Sequence, residues 1–421
     1  MQVCIYEDIH YENLEPLIFV RPVYDLICGM STLKDKILRH FPQNKFSLHT
    51  RTYLAGYLKL VNKVPVNEII DNDVLFINGR VLADSNFLNE IDINHKEPII
   101  YKNKDTIVAA RLNGEYLNKF LPKLNDLISD QDFLGINNIK VENVDVKTIN
   151  YIWDLIHYHH DMMIEDYQVL YSKIENRFDS KIFDGVHIVE KENVLIKSGT
   201  IIKPGVVLDA SKGPIVIENN VQIFPNAVIE GPAFIGENSQ IKAQAYIYDN
   251  VYAGKVCKLG GEVEYSIFYP YTNKQHAGFI GHAYIGSWVN LGADTNCSDL
   301  KNNYGFVRMY VNGEAIVTNQ QFLGVVIGDH TKVAINTMFN TGTVVGFSSN
   351  IFGAGFPSKS LPSFTWGGCG TSTTYDLERA IETAKRVMAR RNYIMSEEEE
   401  NIFRKTFDIT KKARKRNGYP Y

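Results

Sequence analysis

The sequence predicts an α/β domain followed by a parallel β-helix and a short helical arm. Three observations carry this. Apolar residues recur every six positions between Val194 and Ile351, strands alternate with helices before that stretch, and the composition changes after Gly367-Gly368. Length agrees, because 421 residues exceed one ordinary core and suggest two or three domains. The expected boundaries are 1–178, 179–372 and 373–421.

The hexads are the clearest signal. Ile196, Ile202 and Leu208 form one series, Ile217, Ile223, Ile229, Ile235, Ile241 and Ile247 a second, and Ile327, Val333, Phe339, Val345 and Ile351 a third. Three residues after members of these series stand Gly199, Gly205, Asn220, Asn226, Asn238, Asn250 and Gly342, residue types that tolerate the positive φ of a sharp corner. Each hexad is thus one short strand plus a corner, and three hexads close one triangular rung. A rung cannot bury its own interior, so many must stack. A three-residue break at Ser211-Lys212-Gly213 reads as a loop at a corner. The pattern loosens from Ala253, returns at Phe279, Ile285, Leu291 and Cys297, and stops between Asp299 and Gln321. In that insertion Phe306–Val311 and Ala315–Thr318 flank Asn312-Gly313, a hairpin signal.

Upstream, Val3–Tyr6, Asp73–Ile77, Ile99–Tyr101 and Thr106–Ala110 read as strands. Leu33–Phe41, Tyr116–Leu127, Ile149–Tyr158 and Ile164–Ile174 read as helical. The alternation predicts a mainly parallel sheet, whose ligands bind beyond the carboxyl ends of the strands. Two segments fall there: the loop through Arg21–Gly29, and the turn Asn78-Gly79-Arg80. Arg21, Lys34 and Lys36 have the chemistry to converge on a phosphate chain, although surface cations are commonly just solvated. His157, His159, His160 and Asp161 are better read as packing or hydrogen-bonding residues than as a metal site, since no third ligand stands at metal spacing.

Composition narrows the function classes. A net charge of −4 gives no argument for nucleic acid or an anionic membrane. No run of 18 apolar residues is present to span a bilayer, and the N-terminus reads as a strand rather than a cleavable signal. The five scattered cysteines, odd in number and without CxxC, read as reduced thiols of a cytoplasmic protein. In the arm, Asp376–Arg391 is amphipathic, and Ser396-Glu397-Glu398-Glu399 is a capping box for a second helix to about Lys415. The basic run Lys411–Arg416 suits the last turn of a helix better than a nucleic-acid patch.

Chemistry on a repeat scaffold is expected where the repeat breaks. The segments Asn273-Lys274-Gln275-His276 and Asn290-Leu291-Gly292-Ala293 lie there. An imidazole such as His276 can accept the proton of an attacking amine; the competing reading is a surface histidine beside a loop.

The run PLxxxRPVxDLxxG…LxxK, then NGR after a strand, then the hexads, resembles the alternative bacterial-type sugar nucleotidyltransferase-like proteins. These are relatives of the bifunctional N-acetylglucosamine-1-phosphate uridyltransferase / glucosamine-1-phosphate acetyltransferases. The second half, NKQHAGFIGHAYIGSWVNLGADTN, resembles their acetyl-transfer segment. The resemblance implies a nucleotidyltransferase-like (Rossmann-like) first domain, a left-handed coil, and a homotrimer. It implies acetyl-CoA as co-substrate, Mg²⁺ for nucleotidyl transfer, and UTP and an amino-sugar phosphate as substrates. His276 would be the base. Asn290, Lys274 and Phe279 would meet the acceptor sugar phosphate, and Ala293, Lys332 and Ala334 would line the coenzyme A groove. Arg21, Lys36, Asn78, Gly79 and Arg80 would bind the nucleotide, with Asp166 a candidate for the metal and Asp84 another nearby acid. The sequence departs from the commoner enzymes in lacking their GxGTRM-type loop, in Phe279 where tyrosine is frequent, and in Asp294 where glycine is usual. Two other readings remain: a single-activity acyltransferase whose first domain is a binding or structural module, and a non-catalytic trimeric scaffold.

Overall fold

The computed structural model describes residues 1–124, 126–174 and 179–419. The expected boundary at 178/179 touches residues 175–178, outside the described residues. The chain divides into two compact units. The first holds Met1–Leu14, Ile18–Asp154 and Ser396–Ile402, and the second holds Glu15–Leu17, Leu155–Met395 and Phe403–Tyr421. Among the described residues no helix is long and apolar enough to cross a membrane.

The first unit is built on a six-stranded sheet: β1 (Gln2–Tyr6), β2 (Lys45–His49), β3 (Asp73–Asn78), β4 (Ile99–Asn103), β5 (Thr106–Asn113) and β6 (Lys140–Asn143), in the order β2-β1-β3-β5-β4-β6. β1 runs parallel to both β2 and β3, and β6 parallel to β4, whereas β5 is antiparallel to β3 and β4. The expected mainly parallel sheet is therefore mixed. The short connection at Lys104-Asp105, with Lys104 at φ 53°, leaves no room for a crossover and folds β4 back on β5. β1 is buried at every position, as a strand between two parallel neighbours must be. α1 (Leu33–Arg39) starts at a Thr32/Asp35 capping box, and α2 (Thr52–Val61) follows β2. α3 (Gly114–Phe120) is shorter than its apolar pattern, since Pro122 cannot continue it and the chain passes into a 3-10 turn. Phe76, Phe120 and Phe133 form the centre of the core, with ring centroids 4.5–5.9 Å apart. In the arm segment of this unit, Ile402 packs with Leu54, Leu58 and Val66.

The second unit is a parallel β-helix whose three faces are sheets of eleven, nine and six strands. Its interior is a continuous apolar column that includes every member of the three hexad series. Each predicted corner residue has positive φ, from 58° at Asn220 to 78° at Gly205. The loosening after Ala253 has a geometric cause. Ala253 stacks on Phe268 and Phe268 on Ile285, steps of 15 and 17 residues, where Ile235 to Ala253 takes 18. The insertion after Asp299 forms the expected hairpin, Arg308–Val311 against Glu314–Val317, turning at Asn312 and Gly313 with φ of 53° and 87°. Before the coil, α4 (Ile152–His157) leads into α5 (His159–Leu170), in which His159 and Asp166 are buried, and His160 Nδ1 lies 2.8 Å from Asn250 Oδ1.

The arm comprises α6 (Leu377–Ala389), α7 (Glu397–Ile409) and α8 (Lys411–Arg416). Asp376 caps α6 by accepting from the Arg379 amide at 2.9 Å, and the Ser396/Glu399 box starts α7. In the second unit Phe403 packs edge-on against Phe347 and His330. The Arg414 guanidinium lies buried 4.0 Å from the Phe407 ring centroid, so this part of the basic run serves packing.

Candidate functional site

In the first unit Asn78, Gly79 and Arg80 lie at the carboxyl ends of β1 and β3, with their polar groups largely engaged. Arg80 is buried, and its Nε donates to both oxygens of Asp8 at 2.9 and 3.1 Å while Nη2 reaches Asp8 Oδ2 at 2.5 Å. Its Nη1 donates to Asn150 Oδ1 at 2.7 Å. Asn78 donates to Asp8 and accepts from the Arg80 amide. Gly79 is required by crowding, because a Cβ there would lie 2.8 Å from the Tyr24 ring. Lys36 is buried with Nζ 3.1 Å from Ser31 Oγ, and the Arg21 carbonyl accepts from Arg51 at 2.8 Å. Sequence reasoning missed the neighbouring pair Glu7–Arg51, equally buried, with Glu7 also accepting from Thr50 and the Val23 amide.

No three His, Cys, Asp or Glu side chains converge to hold a metal among the described residues. Asp166 lies in α5, in the other compact unit from this sheet, and Asp84 is paired with Lys147 at 2.9 Å. Asp130 has its carboxyl pushed above the usual range by burial and by Asp8. These residues make no protein cage for Mg²⁺. The remaining option is the usual one for that ion, in which phosphate oxygens and water supply most ligands.

In the second unit the expected acetyl-transfer residues meet along one corner of the coil. On successive rungs the corner carries His276-Ala277, then Ala293-Asp294, then Ala334–Asn336. The Asp294 amide donates to the Ala277 carbonyl at 3.0 Å, and the Asn336 amide to the Ala293 carbonyl at 2.8 Å. Gly292 has no space for a side chain, since its Cβ would stand 2.5 Å from the Ile335 amide. His276 is exposed at this corner. On the adjoining face Asn273, Asn290 and Lys332 stack in register on neighbouring rungs. Phe279 is half-buried on the next strand, its amide donating to Asn296 Oδ1 at 2.8 Å.

A cavity of about 320 Å³ opens on the Asn290 face. The coil supplies Lys258, Asn273, Gln275, Asn290 and Lys332, and α6 with the residues after it supplies Thr383, Val387, Arg390 and Arg391. Tyr271 and Trp288 complete the wall, stacked at 4.1 Å. Four cations and no carboxylate line it, an electrostatic arrangement suited to an anion. Burial and the neighbouring Arg391, Lys242 and Arg390 push the Lys258 ammonium below its ordinary range. Burial takes Lys332 to about 7, with Nζ donating to the Trp288 and His330 carbonyls at 2.8 Å each. Lys274, expected to meet the sugar phosphate, is instead buried at an interior position of the coil.

The contribution of Arg390, Arg391, Tyr271 and Trp288 was missed. A signal was available. Tyr271, Trp288 and His330 occupy corner positions, with φ of 67°, 62° and 62°, where the first rungs use Gly199, Asn220 and Asn238. Aromatic side chains at such strained corners mark a face built to be covered.

Residues 3–174 match the family described as sugar nucleotidyl transferase. Three curated relatives, each called bifunctional protein GlmU, align over most of the chain. That of Acaryochloris marina is 23% identical over 73% of this chain and 77% of its own length. That of Methanococcus aeolicus is 24% identical over 75% and 79%, and that of Wigglesworthia glossinidia brevipalpis 27% identical over 83% and 75%.

Proposed function

We propose that the chain is a bifunctional sugar-nucleotide enzyme, because residues 3–174 match the sugar nucleotidyl transferase family and the chain aligns with the bifunctional GlmU proteins over most of its length. The coil transfers acetyl from acetyl-CoA to glucosamine-1-phosphate, and the first domain joins the product to UTP, giving UDP-N-acetylglucosamine and pyrophosphate. The observation that carries this reading is the corner column of His276, Ala293 and Ala334 beside the cationic Asn290 face.

In the acetyl step the amine nitrogen attacks the thioester carbonyl carbon, the carbon–sulfur bond breaks, and His276 takes the amine proton while the thiolate of coenzyme A is protonated. Asn290 orients the sugar, and Lys332 with the corner backbone at Ala293 and Ala334 meets coenzyme A. In the second step a phosphate oxygen of the sugar attacks the α-phosphorus of UTP and pyrophosphate leaves. Mg²⁺ bound to the triphosphate would neutralise charge. Asp8 holds Asn78, Gly79 and Arg80 in the shape that receives the nucleotide, with Arg21 and Lys36 on the neighbouring loop and helix. The working assembly is a homotrimer in the cytoplasm, a compartment that suits five free cysteines.

The test is a coupled assay with glucosamine-1-phosphate, acetyl-CoA, UTP and Mg²⁺, following thiol and pyrophosphate separately. His276→Ala should lower thiol release by roughly 10²- to 10⁴-fold and leave pyrophosphate release from N-acetylglucosamine-1-phosphate unchanged. Absence of both products with any amino-sugar phosphate would end the reading. Thiol without pyrophosphate would select the single-activity acyltransferase, a reading favoured by the full engagement of Arg80 with Asp8.

A further inference from the structure

Along the eleven-stranded face the interior positions are Ile202, Ile223, Ile241, Leu259, Lys274, Leu291, Val333 and Ile351. Seven are aliphatic and one is lysine. Lys274 is 1% exposed. An amine has no reason to occupy an apolar column, since burying it costs free energy unless its hydrogens are satisfied. Here they are directed with care. Nζ donates to the Gly260 carbonyl at 2.7 Å and to the His276 carbonyl at 3.0 Å. Gly260 belongs to the rung below and His276 to the corner that presents the candidate base.

The surroundings are shaped to this contact. Gly261 has φ +67°, and a Cβ there would fall 2.8 Å from Lys274 Nζ and 2.9 Å from the His276 carbonyl oxygen. The charged groups that face the amine are Glu262 and Asp294. Neither accepts from it; its two partners are backbone carbonyls.

We propose that Lys274 is a positioning residue, an internal clasp that ties the His276 carbonyl to Gly260 and holds the corner from which the imidazole is presented. This rests on the reading of His276 as the base. Without the amine, two carbonyl oxygens lose a shared donor. Burial makes an unmet acceptor costly, so the corner shifts to find other donors and the imidazole shifts with it.

The experiment compares full-length wild type, Lys274→Met and His276→Ala. Methionine fills the column much as Leu259 and Leu291 do. Lys274→Met should melt no lower than wild type and release pyrophosphate normally. Its kcat for acetyl transfer should fall by about 10²-fold, the scale of a misplacement near 1 Å, with KM for acetyl-CoA and glucosamine-1-phosphate within about twofold of wild type. A raised KM for the sugar phosphate at unchanged kcat would make Lys274 a substrate contact and overturn the clasp. A slow His276→Ala beside a fully active Lys274→Met would sink the clasp alone. A fully active His276→Ala would sink the base assignment itself, and the clasp with it. Should Lys274→Met not fold, Gly261→Ala puts a methyl 2.8 Å from the amine and 2.9 Å from the His276 carbonyl, crowding the contact; a selective loss of kcat supports the clasp, and wild-type kcat overturns it.

Discussion

The two units handle buried positive charge in opposite ways. In the sheet unit Arg51 and Arg80 each meet a carboxylate at the carboxyl end of β1, Glu7 and Asp8, and the remaining donors go to carbonyls and side chains. In the coil Lys274 and Lys332 find only carbonyl oxygens, and the cavity over Asn290 is lined by cations with no acid. Internal charge balance builds a framework. Imbalance leaves attraction to be satisfied by a ligand. On this comparison the sheet unit's buried arginines are architecture, and the cations that line the coil's cavity are free of acids and suited to an anion.

The largest effect should come from unbalancing a framework pair. Asp8→Asn leaves Arg80 charged, buried and unpaired, which should destabilise the first unit by roughly 3–5 kcal/mol. Hydrogen exchange in the peptide carrying Gln2–Tyr6 should rise sharply, and pyrophosphate release should fail at lower temperature, while thiol release persists. A loss under about 1 kcal/mol, the level of a surface ion pair, would erase the distinction between the units.

How legible this was depended on sequence separation. The coil was readable because its rule is local: one apolar residue every six, and a corner residue three later. It blurred where rungs shorten to 15 and 17 residues near Phe268, and it broke at the Ser211 loop and the insertion after Asp299. The edge strand β6 was missed because it is largely exposed and has no apolar signature, and β2 because Lys45 and Ser47 interrupt its pattern. The framework pairs were not readable at all. Asp8 and Arg80 are 72 residues apart, and Glu7 and Arg51 are 44 apart, so only the fold pairs them. The candidate site was half readable. His276, Ala293 and Ala334 fall on successive rungs of one corner with Asn290 on the adjoining face, segments already singled out by motif, but Arg390 and Arg391 arrive from the arm. Lys274 was misread because the short rung before it hides that it falls on an interior position.

A smaller effect tests the other side of the comparison. The Lys332 amine has its pKa lowered to about 7 against an ordinary 10.5. Between those values the unfolded chain binds more protons than the folded one, so this residue's destabilising contribution is full below about pH 7 and fades as pH rises toward 10.5. Lys332→Met should therefore raise coil stability by on the order of 2 kcal/mol at pH 6, and the gain should shrink toward pH 10. Thermal melts of both proteins across that range would check it. A gain independent of pH would mean that packing, not charge, is responsible.

The smallest effect is expected at a corner without an aromatic stack, and an aromatic corner supplies the contrast. Asn226 has φ 61° and carries no aromatic stack, so Asn226→Ala should cost about 1 kcal/mol, the strain of a left-handed conformation in a residue with an ordinary Cβ. Asn226→Gly should cost little. Trp288 has nearly the same φ, 62°, yet its ring is stacked on Tyr271 and meets Tyr393 edge-on at 5.6 Å. There glycine relieves the strain but removes a buried aromatic wall, and aromatic truncations of that kind cost ~3 kcal/mol. Trp288→Gly should thus destabilise the coil although Asn226→Gly does not, and it should weaken binding of an anionic ligand at the cavity, read with inorganic phosphate as the probe. If the two glycine variants melted alike, the aromatic corners would be incidental and the cavity they border would lose its claim to be a built site.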